Sequence, residues 1–296
     1  MHNFVVCFRR YRSNPYRAIV DVDERRMENA NEEFLLLLLS DSNLPTGGFI
    51  ASSGLESYLQ HGYLIDPSNR NGSKSIGILD FVAKSIHSYA RLNLPFLSAS
   101  HEAGTRLRTT GPEEDVEERL EEAQERIRVV DRLFEAMTLN SVSKRASVAQ
   151  GIALLTLYDK SFSPPTIPGS VPAPEKTLVE RLRTSIRAKE KDSFGHHPIG
   201  FGIITSALSL PLPAAQNIFL FLHARSILSS AIRLNIIGPY ISHRLLLHDV
   251  RPLIAQALDE CKDLQLEKGT GPVVSWPLGE ILAARHDALH SKIFNS

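Results

Sequence analysis

The chain has 296 residues, of which 43% are hydrophobic and 22% charged, so it is long enough to bury a substantial core. Lys and Arg total 33, and so do Asp and Glu, which gives a formal net charge of zero and excludes the basic excess typical of general nucleic-acid binders. The two cysteines, Cys7 and Cys261, lie near opposite ends of the chain. They predict no disulfide framework and favour a reducing, cytoplasmic location.

Residues 1–32 are predicted to form a tail outside the folded domain. The first twenty residues are basic, and no acidic residue precedes Asp21. A transit peptide, a disordered terminus and an over-extended gene with its true start at Met27 are the alternatives. The last two are favoured, because short polar termini are commonly unstructured.

No membrane span is predicted. The leucine run at 35–39 is far too short to cross a bilayer. The longer apolar stretch at 214–237 is interrupted by His223, Arg225 and Arg233, so it is interpreted as a buried or partner-facing helix.

The dominant hydrophobic period is helical. Between Asp115 and Thr138, apolar residues recur at alternating spacings of four and three, as on one face of a long helix. Similar stripes occupy residues 79–90 and 246–264, and Pro252 predicts a kink or a start in the last of them. Alternation of the strand type is hard to find, so the sequence predicts an all-α fold of roughly eight to ten helices.

Three segments interrupt the helical pattern. Residues 66–75 are polar and contain a turn signal, and residues 269–277 form another loop. Ser161–Pro174 contains five prolines and is predicted to be an extended loop. Because composition does not change across this loop, residues 33–296 are predicted to be a single bundle-like helical domain with a Pro-rich insertion at 161–174.

Sequence motifs of catalysis are missing. The chain has no phosphate-binding loop, no G-x-S-x-G elbow, no H-E-x-x-H and no Cys-x-x-Cys pair. No catalytic residue and no stably bound cofactor is therefore predicted. Three histidine pairs could in principle hold a borderline divalent ion such as nickel: His286 with His290, His196 with His197, and His243 with His248. Because no third ligand is within sequence reach, surface or capping roles are favoured and no metal site is predicted.

The segment Ser40–Phe49, with sequence S-D-S-N-L-P-T-G-G-F, is the most unusual part of the chain. Pro45, Gly47 and Gly48 predict a sharp structural turn after the leucine run. Ser52 or Ser53 is predicted to cap a short helix through Glu56. The turn is either a corner between helices or an anion cradle at a helix start. The corner is favoured, because glycine-rich turns are much commoner than anion sites.

Four segments in order resemble the UreF family of urease accessory proteins. Leu38–Glu56 resembles the family's N-terminal signature, and His197–Gly202 resembles its H-x-P-V-x-F-G segment. Arg233–Gly238 resembles K/R-L-V-P-L-G, and Arg285–Ser296 resembles the terminal R-H-E-x-x-Y-S-R-L-F-x-S. The resemblance covers the chain from about residue 33 to its end.

The resemblance implies a helical, non-enzymatic scaffold, often a homodimer, that acts as a nickel-insertion chaperone. It implies binding to a second accessory protein, UreD or UreH, and recruitment of the GTPase UreG. The assembly would deliver nickel to apo-urease, so nickel and GTP would be handled by the partner complex. Two alternatives remain: a strict GTPase-activating protein that inserts Arg233 or Arg244 into UreG, and a direct nickel carrier.

The resemblance also implies two groups of partner-binding residues. On the side of UreG these are Phe49, Glu56 and Arg233. On the side of UreD/UreH they are Arg285, His286, Ser291, Lys292, Phe294 and Ser296, within a partner-binding tail at 285–296. The corner is expected to present Phe49 and Glu56 to partners.

Some residues depart from the family pattern. Phe49 replaces a common Tyr, His290 replaces the tail's Tyr, and Tyr240 stands where Gln is frequent. Lys292 and Asn295 replace two arginines, so the tail loses the capacity for bidentate pairing with carboxylates.

Overall fold

The computed structural model describes residues 30–64, 74–109, 115–164, 172–266 and 271–295, and no strand occurs within these ranges. The predicted all-α class is therefore confirmed. The chain divides into two units, Met1–Asp41 and Ser42–Ser296. In the first unit, residues 30–39 form helix α1, which includes the last three residues of the predicted tail. The remainder of that tail lies outside the described residues.

The second unit is built of helices and short turns. Its α-helices are α2 (Leu55–Gln60), α3 (Lys74–Thr109), α4 (Val116–Met137), α5 (Ser141–Leu157), α6 (Pro174–Arg187), α7 (His197–Ala207), α8 (Leu212–Arg233), α9 (Pro239–Leu245), α10 (Arg251–Cys261) and α11 (Pro277–Ala284). Short 3₁₀ turns occupy Gly48–Ile50 and Arg285–Ala288, and π-helical turns occupy Tyr158–Phe162 and Leu246–Val250. None of the described helices combines the length and hydropathy needed to cross a membrane.

Helix α3 is the centre of the core, and α4, α7, α8 and α10 pack around it. The stripe predicted on α4 is confirmed, because its members face the interior. The buried members are Leu120, Ala123, Ile127, Val130 and Phe134. Burial of this face, rather than helix propensity alone, stabilises so long a helix.

Pro95 lies inside α3 and leaves a backbone acceptor free, because proline has no N–H to donate to the carbonyl four residues earlier. That carbonyl belongs to Arg91, and it accepts the N–H of Val273 at 3.3 Å. Ser275 donates its N–H to the hydroxyl of Ser88 at 3.3 Å. The described residues just before α11 are thereby fastened along α3, and α11 packs against α2 and α5.

The predicted interruptions fall partly on described residues. Residues 239–261 are helical throughout, and Pro252 stands in the first turn of α10, directly after a π-helical turn. The wider π turn accommodates a residue that lacks an N–H. Pro174 begins α6, whereas residues 165–171 of the predicted Pro-rich loop lie outside the described part.

The corner before α2 is a turn, as predicted, but its cap differs from the prediction. Gly47 has φ 73° and supplies the left-handed conformation. Helix α2 begins at Leu55 with Gly54, at φ 82°, in the N-cap position, not Ser52 or Ser53. The left-handed backbone favours glycine at this position, and close packing adds to it, because an added Cβ at Gly54 would lie 3.0 Å from the Cβ of Ala283 on α11.

Candidate partner-binding site

The carboxylate of Glu56 joins the corner to the C-terminal residues. Glu56 is in the first turn of α2 and is only 1% exposed. Its Oε1 accepts the backbone N–H of Ile293 at 2.7 Å, and its Oε2 accepts that of Phe294 at 3.1 Å. A buried carboxylate needs such donors, because burial without them costs several kcal/mol.

Arg233, the last residue of α8, lies between two aromatic rings. Its guanidinium carbon is 4.0 Å from the centroid of Phe49 and 3.9 Å from that of Phe294. Its Nη1 also donates to the backbone oxygen of Phe49. Burial lowers the pKa of Arg233, and the nearby charge of Glu56 acts in the opposite direction. The stacking therefore links the corner, α8 and the tail through one cation.

His286 is a further buried member of the cluster and lies next to Phe294 and Glu56. It is fully buried, and its Nε2 lies 3.1 Å from the backbone oxygen of Phe294, to which it donates in the matching tautomer. Its Nδ1 is 4.0 Å from Oε2 of Glu56 and has no hydrogen-bond partner among the described residues. We call the cluster of Phe49, Glu56, Arg233, His286 and Phe294 the junction.

The residues around the junction hold the tail by its backbone. Asn295 donates its N–H to the oxygen of Ile50 at 2.9 Å, and Gln60 donates its side-chain amide to the oxygen of Ser291 at 2.9 Å. Lys292 donates from Nζ to the backbone oxygen of Asp287 at 2.9 Å. Phe294 is buried while its sequence neighbours are exposed, so the docked tail offers an outward face.

The structure brings together residues that were assigned to two separate surfaces. Phe49, Glu56 and Arg233 contact the tail directly, through the rings and hydrogen bonds of the junction. Phe49 is 67% exposed, as expected of a presented residue. The expectation that Glu56 is presented to partners is wrong. Its side chain is buried, and both of its oxygens accept hydrogen bonds from the tail of its own chain.

Most of the other predicted residues lie on the surface. Arg285, Ser291 and Lys292 are exposed, and so are Pro45 and Gly47, whereas Gly48 is half-buried. Ser296 lies outside the described residues.

His286 and His290, which are four residues apart, do not share a helix face. The helical turn ends at Ala288, so His286 points inward while His290 is exposed in a non-helical segment. His196 is buried between Glu135, 2.9 Å from its Nε2, and Ser147, 3.2 Å from its Nδ1. His197 bonds to Tyr89. Within the described ranges no group of three or more His, Cys, Asp and Glu side chains is arranged to hold a metal.

Sequence reasoning missed two kinds of residue. Ile50 and Gln60 hold the tail through a backbone oxygen and a side-chain amide, and no sequence signal reveals such contacts. Asp131 accepts the N–H groups of Phe194, Gly195 and His196 at 2.7, 2.7 and 3.1 Å and so anchors the start of α7. Its position next to Val130, within the apolar stripe of α4, was an available signal for a buried acid.

In the part of the chain that the structure describes, an all-α fold brings the terminal segment, the corner and the end of α8 together in one largely buried cluster. Comparison with known proteins supplies the family. The UreF family model matches residues 77–248. A urease accessory protein 6 of Cryptococcus neoformans is 35% identical, with 90% of this chain and 98% of that protein covered. The chain belongs to the UreF family of urease accessory proteins.

Relatives occur in fungi and in plants. A UreF-like urease accessory protein of Schizosaccharomyces pombe is 29% identical, with 91% of this chain and 99% of the relative covered. A urease accessory protein F of Oryza sativa is 29% identical over 86% of this chain and 82% of its own length. The chain therefore spans nearly the whole of its fungal relatives.

Proposed function

We propose that this chain is a non-enzymatic scaffold of urease maturation. In this proposal it binds UreD/UreH through the tail at 285–296, recruits the GTPase UreG, and supports GTP-dependent delivery of nickel to apo-urease. It acts in the cytoplasm as a homodimer, and its partners handle the nickel and the nucleotide. Membership of the UreF family supports the assignment to urease maturation.

The observation that carries the partner-binding part is the composition of the surface at the junction. Phe49 is 67% exposed, Ile50 47% and Ile293 63%, although each belongs to a segment that is fastened by hydrogen bonds. Exposed apolar side chains on an ordered backbone suit a protein partner, because binding buries them without a further ordering cost.

The tail assignment is tested by co-expression with UreD/UreH and affinity capture. Ile293→Asp places a charge on the outward face of the tail but keeps its backbone N–H for Glu56. We expect it to reduce capture of UreD/UreH about tenfold or more, as for a central apolar contact. The matched control is Val129→Asp, which charges an exposed residue of α4. Equal capture with Ile293→Asp and Val129→Asp would show that the tail is not the contact.

The UreG assignment is tested at Arg233. Arg233→Lys keeps the charge but loses the planar group that stacks on both rings. We expect weaker recruitment of UreG and lower urease activation in cells, with Arg233→Ala weaker still. Full recruitment by Arg233→Ala would remove the residue from the UreG contact.

The two alternatives make different predictions. The stacked position of Arg233 does not favour an arginine that is inserted into a partner's active site; Arg244 is exposed on α9 and is the better candidate for that mechanism. A strict GTPase-activating role requires GTP turnover by UreG that rises with this chain and falls with Arg244→Ala. A direct nickel carrier requires micromolar nickel binding by the isolated chain in equilibrium dialysis.

A further inference from the structure

The docked tail depends on a single side chain for its two central backbone amides. Ile293 and Phe294 both donate to Glu56, one to each oxygen. Phe294 is buried, whereas Lys292, Ile293 and Asn295 are exposed. The carboxylate therefore determines which residue of the tail enters the interior and which residues face outward.

We infer that Glu56 is a positioning residue for the C-terminal segment and does not itself contact a partner. This inference rests on the proposed function, because it reassigns Glu56 from the UreG surface to the internal support of the tail. Its near-complete burial beneath the tail, to which each oxygen is bonded, keeps the carboxylate out of reach of a second protein while the tail is docked.

The geometry requires a carboxylate. Two oxygens on one carbon accept two consecutive backbone donors, and a charged acceptor strengthens both bonds. A glutamine has the same shape but one acceptor, so its NH₂ group would face a backbone N–H. One amide of the tail would then lose its partner, which is costly in a buried site.

The effect of Glu56 reaches the corner through Arg233. Phe294 forms one side of the stack on the guanidinium and Phe49 forms the other, and Arg233 also bonds to the backbone of Phe49. If the tail leaves, Arg233 loses one of its two rings. The surface on which UreD/UreH and UreG are proposed to bind is therefore one composite surface, and Glu56 acts on both partners through the tail.

The test uses the full chain and hydrogen exchange of its backbone amides. Glu56→Gln should raise the exchange rate of the Ile293 and Phe294 amides about tenfold, the effect of losing one bond to a charged group. Exchange in α3 and α7 should not change. Glu135→Gln is the matched control, since it makes the same change in a hydrogen-bonded carboxylate of α4 and should leave the tail unaffected.

A second variant keeps the test decisive if Glu56→Gln does not fold. Ile293→Pro removes one of the two donors and leaves Glu56 intact; Ile293 is exposed, so little packing is lost. Faster exchange at Phe294 in this variant supports positioning by Glu56. Unchanged exchange at Phe294 overturns it.

Binding measurements separate this inference from the proposed function. Glu56→Gln should reduce capture of UreD/UreH, and combining it with Phe294→Ala should add no further loss, because residues that act through one element are not additive. Lost capture with an unchanged tail would mean that Glu56 contacts the partner directly and would overturn the inference. If the wild-type chain captures neither UreD/UreH nor UreG, the proposed function fails, while the exchange experiment still decides the role of Glu56.

Discussion

Asp131 and Glu56 make the same kind of contact at two places in the molecule. Each is a buried carboxylate that accepts backbone N–H groups from residues more than sixty positions away: Asp131 from the start of α7, and Glu56 from the tail. The two carboxylates differ in the position of the segment that they bind. The segment at Asp131 lies between α6 and α7, whereas the segment at Glu56 follows the 3₁₀ turn Arg285–Ala288, and no further helix follows it among the described residues.

The contrast has a physical consequence. Release of the segment at Asp131 would expose α7, which packs on α3 and α5, so it would require disruption of the core. Release of the tail at Glu56 exposes Phe294 and a few backbone groups. The same hydrogen bonds therefore stabilise the global fold in one place and govern a local equilibrium in the other.

The largest effect is expected from Asp131→Asn. Asparagine retains one acceptor oxygen, so at least one of the three N–H groups loses its partner, and the charge is lost as well. We expect the free energy of unfolding in urea to fall by about 2–3 kcal/mol. Asp80→Asn is the control, because Asp80 pairs with Lys84 on the exposed face of α3. A loss as small as that of the control would show that Asp131 is not an anchor.

Acid is expected to produce the next largest effect. Burial lowers the pKa of His197 to about 4 and that of His223 to about 3, from an ordinary value of 6.5. Between pH 6.5 and these lowered pKa values, the unfolded chain binds protons that the folded chain excludes. The free energy of unfolding is therefore unaffected by the two histidines well above pH 6.5 and falls as the pH decreases below it. At pH 5.5 we expect a loss of roughly 1 kcal/mol for each histidine.

Urea unfolding at a series of pH values checks this effect, and His223→Phe should reduce its slope. Because His223 stacks on Tyr89, with ring centroids 3.8 Å apart, phenylalanine preserves the ring contact. An unchanged slope would mean that His223 is not the group that excludes the proton. The free energy of tail opening, measured by hydrogen exchange of the Ile293 and Phe294 amides, should not follow this pH dependence. The effect of the two histidines can then be distinguished from that of the junction.

Glu56→Gln should change the free energy of unfolding less than Asp131→Asn or acid does. Although the same kind of bond is lost, the tail can detach while the helices remain packed. We expect the unfolding free energy to change by less than about 1 kcal/mol. A loss as large as that of Asp131→Asn, measured side by side, would end the distinction between the two carboxylates.

The smallest effect is expected from Arg145→Ala. Arg145 on α5 makes two hydrogen bonds of 2.9 Å to Asp287, next to the tail, but both side chains are exposed. Solvent and salt screen such a pair. The urea midpoint should not change measurably, and a clear shift would show that the pair fastens the final turn.

Much of the architecture could be predicted from periodicity. The stripe on α4 identified its buried face because a helix of that length must cover its apolar side, and the glycines of the corner identified a turn. The cap of α2 could not be predicted, because the left-handed backbone at Gly54 and its close approach to Ala283, more than two hundred residues away, exist only in the folded chain. The burial of His286 could not be predicted either. The spacing of four residues to His290 places both on one face only in a continuous helix, and here the 3₁₀ turn ends at Ala288.

The all-α class could be predicted from hydrophobic spacing, and the family from four ordered segments. Those features depend on local spacing and on residue identity, which a linear sequence contains in full. The burial of Glu56 and the meeting of the two predicted partner surfaces, with Arg233 stacked between Phe49 and Phe294, follow from the packing of distant segments. The reason is that hydrogen bonds to backbone amides carry no residue signature, so the contact between Glu56 and the tail exists only in three dimensions.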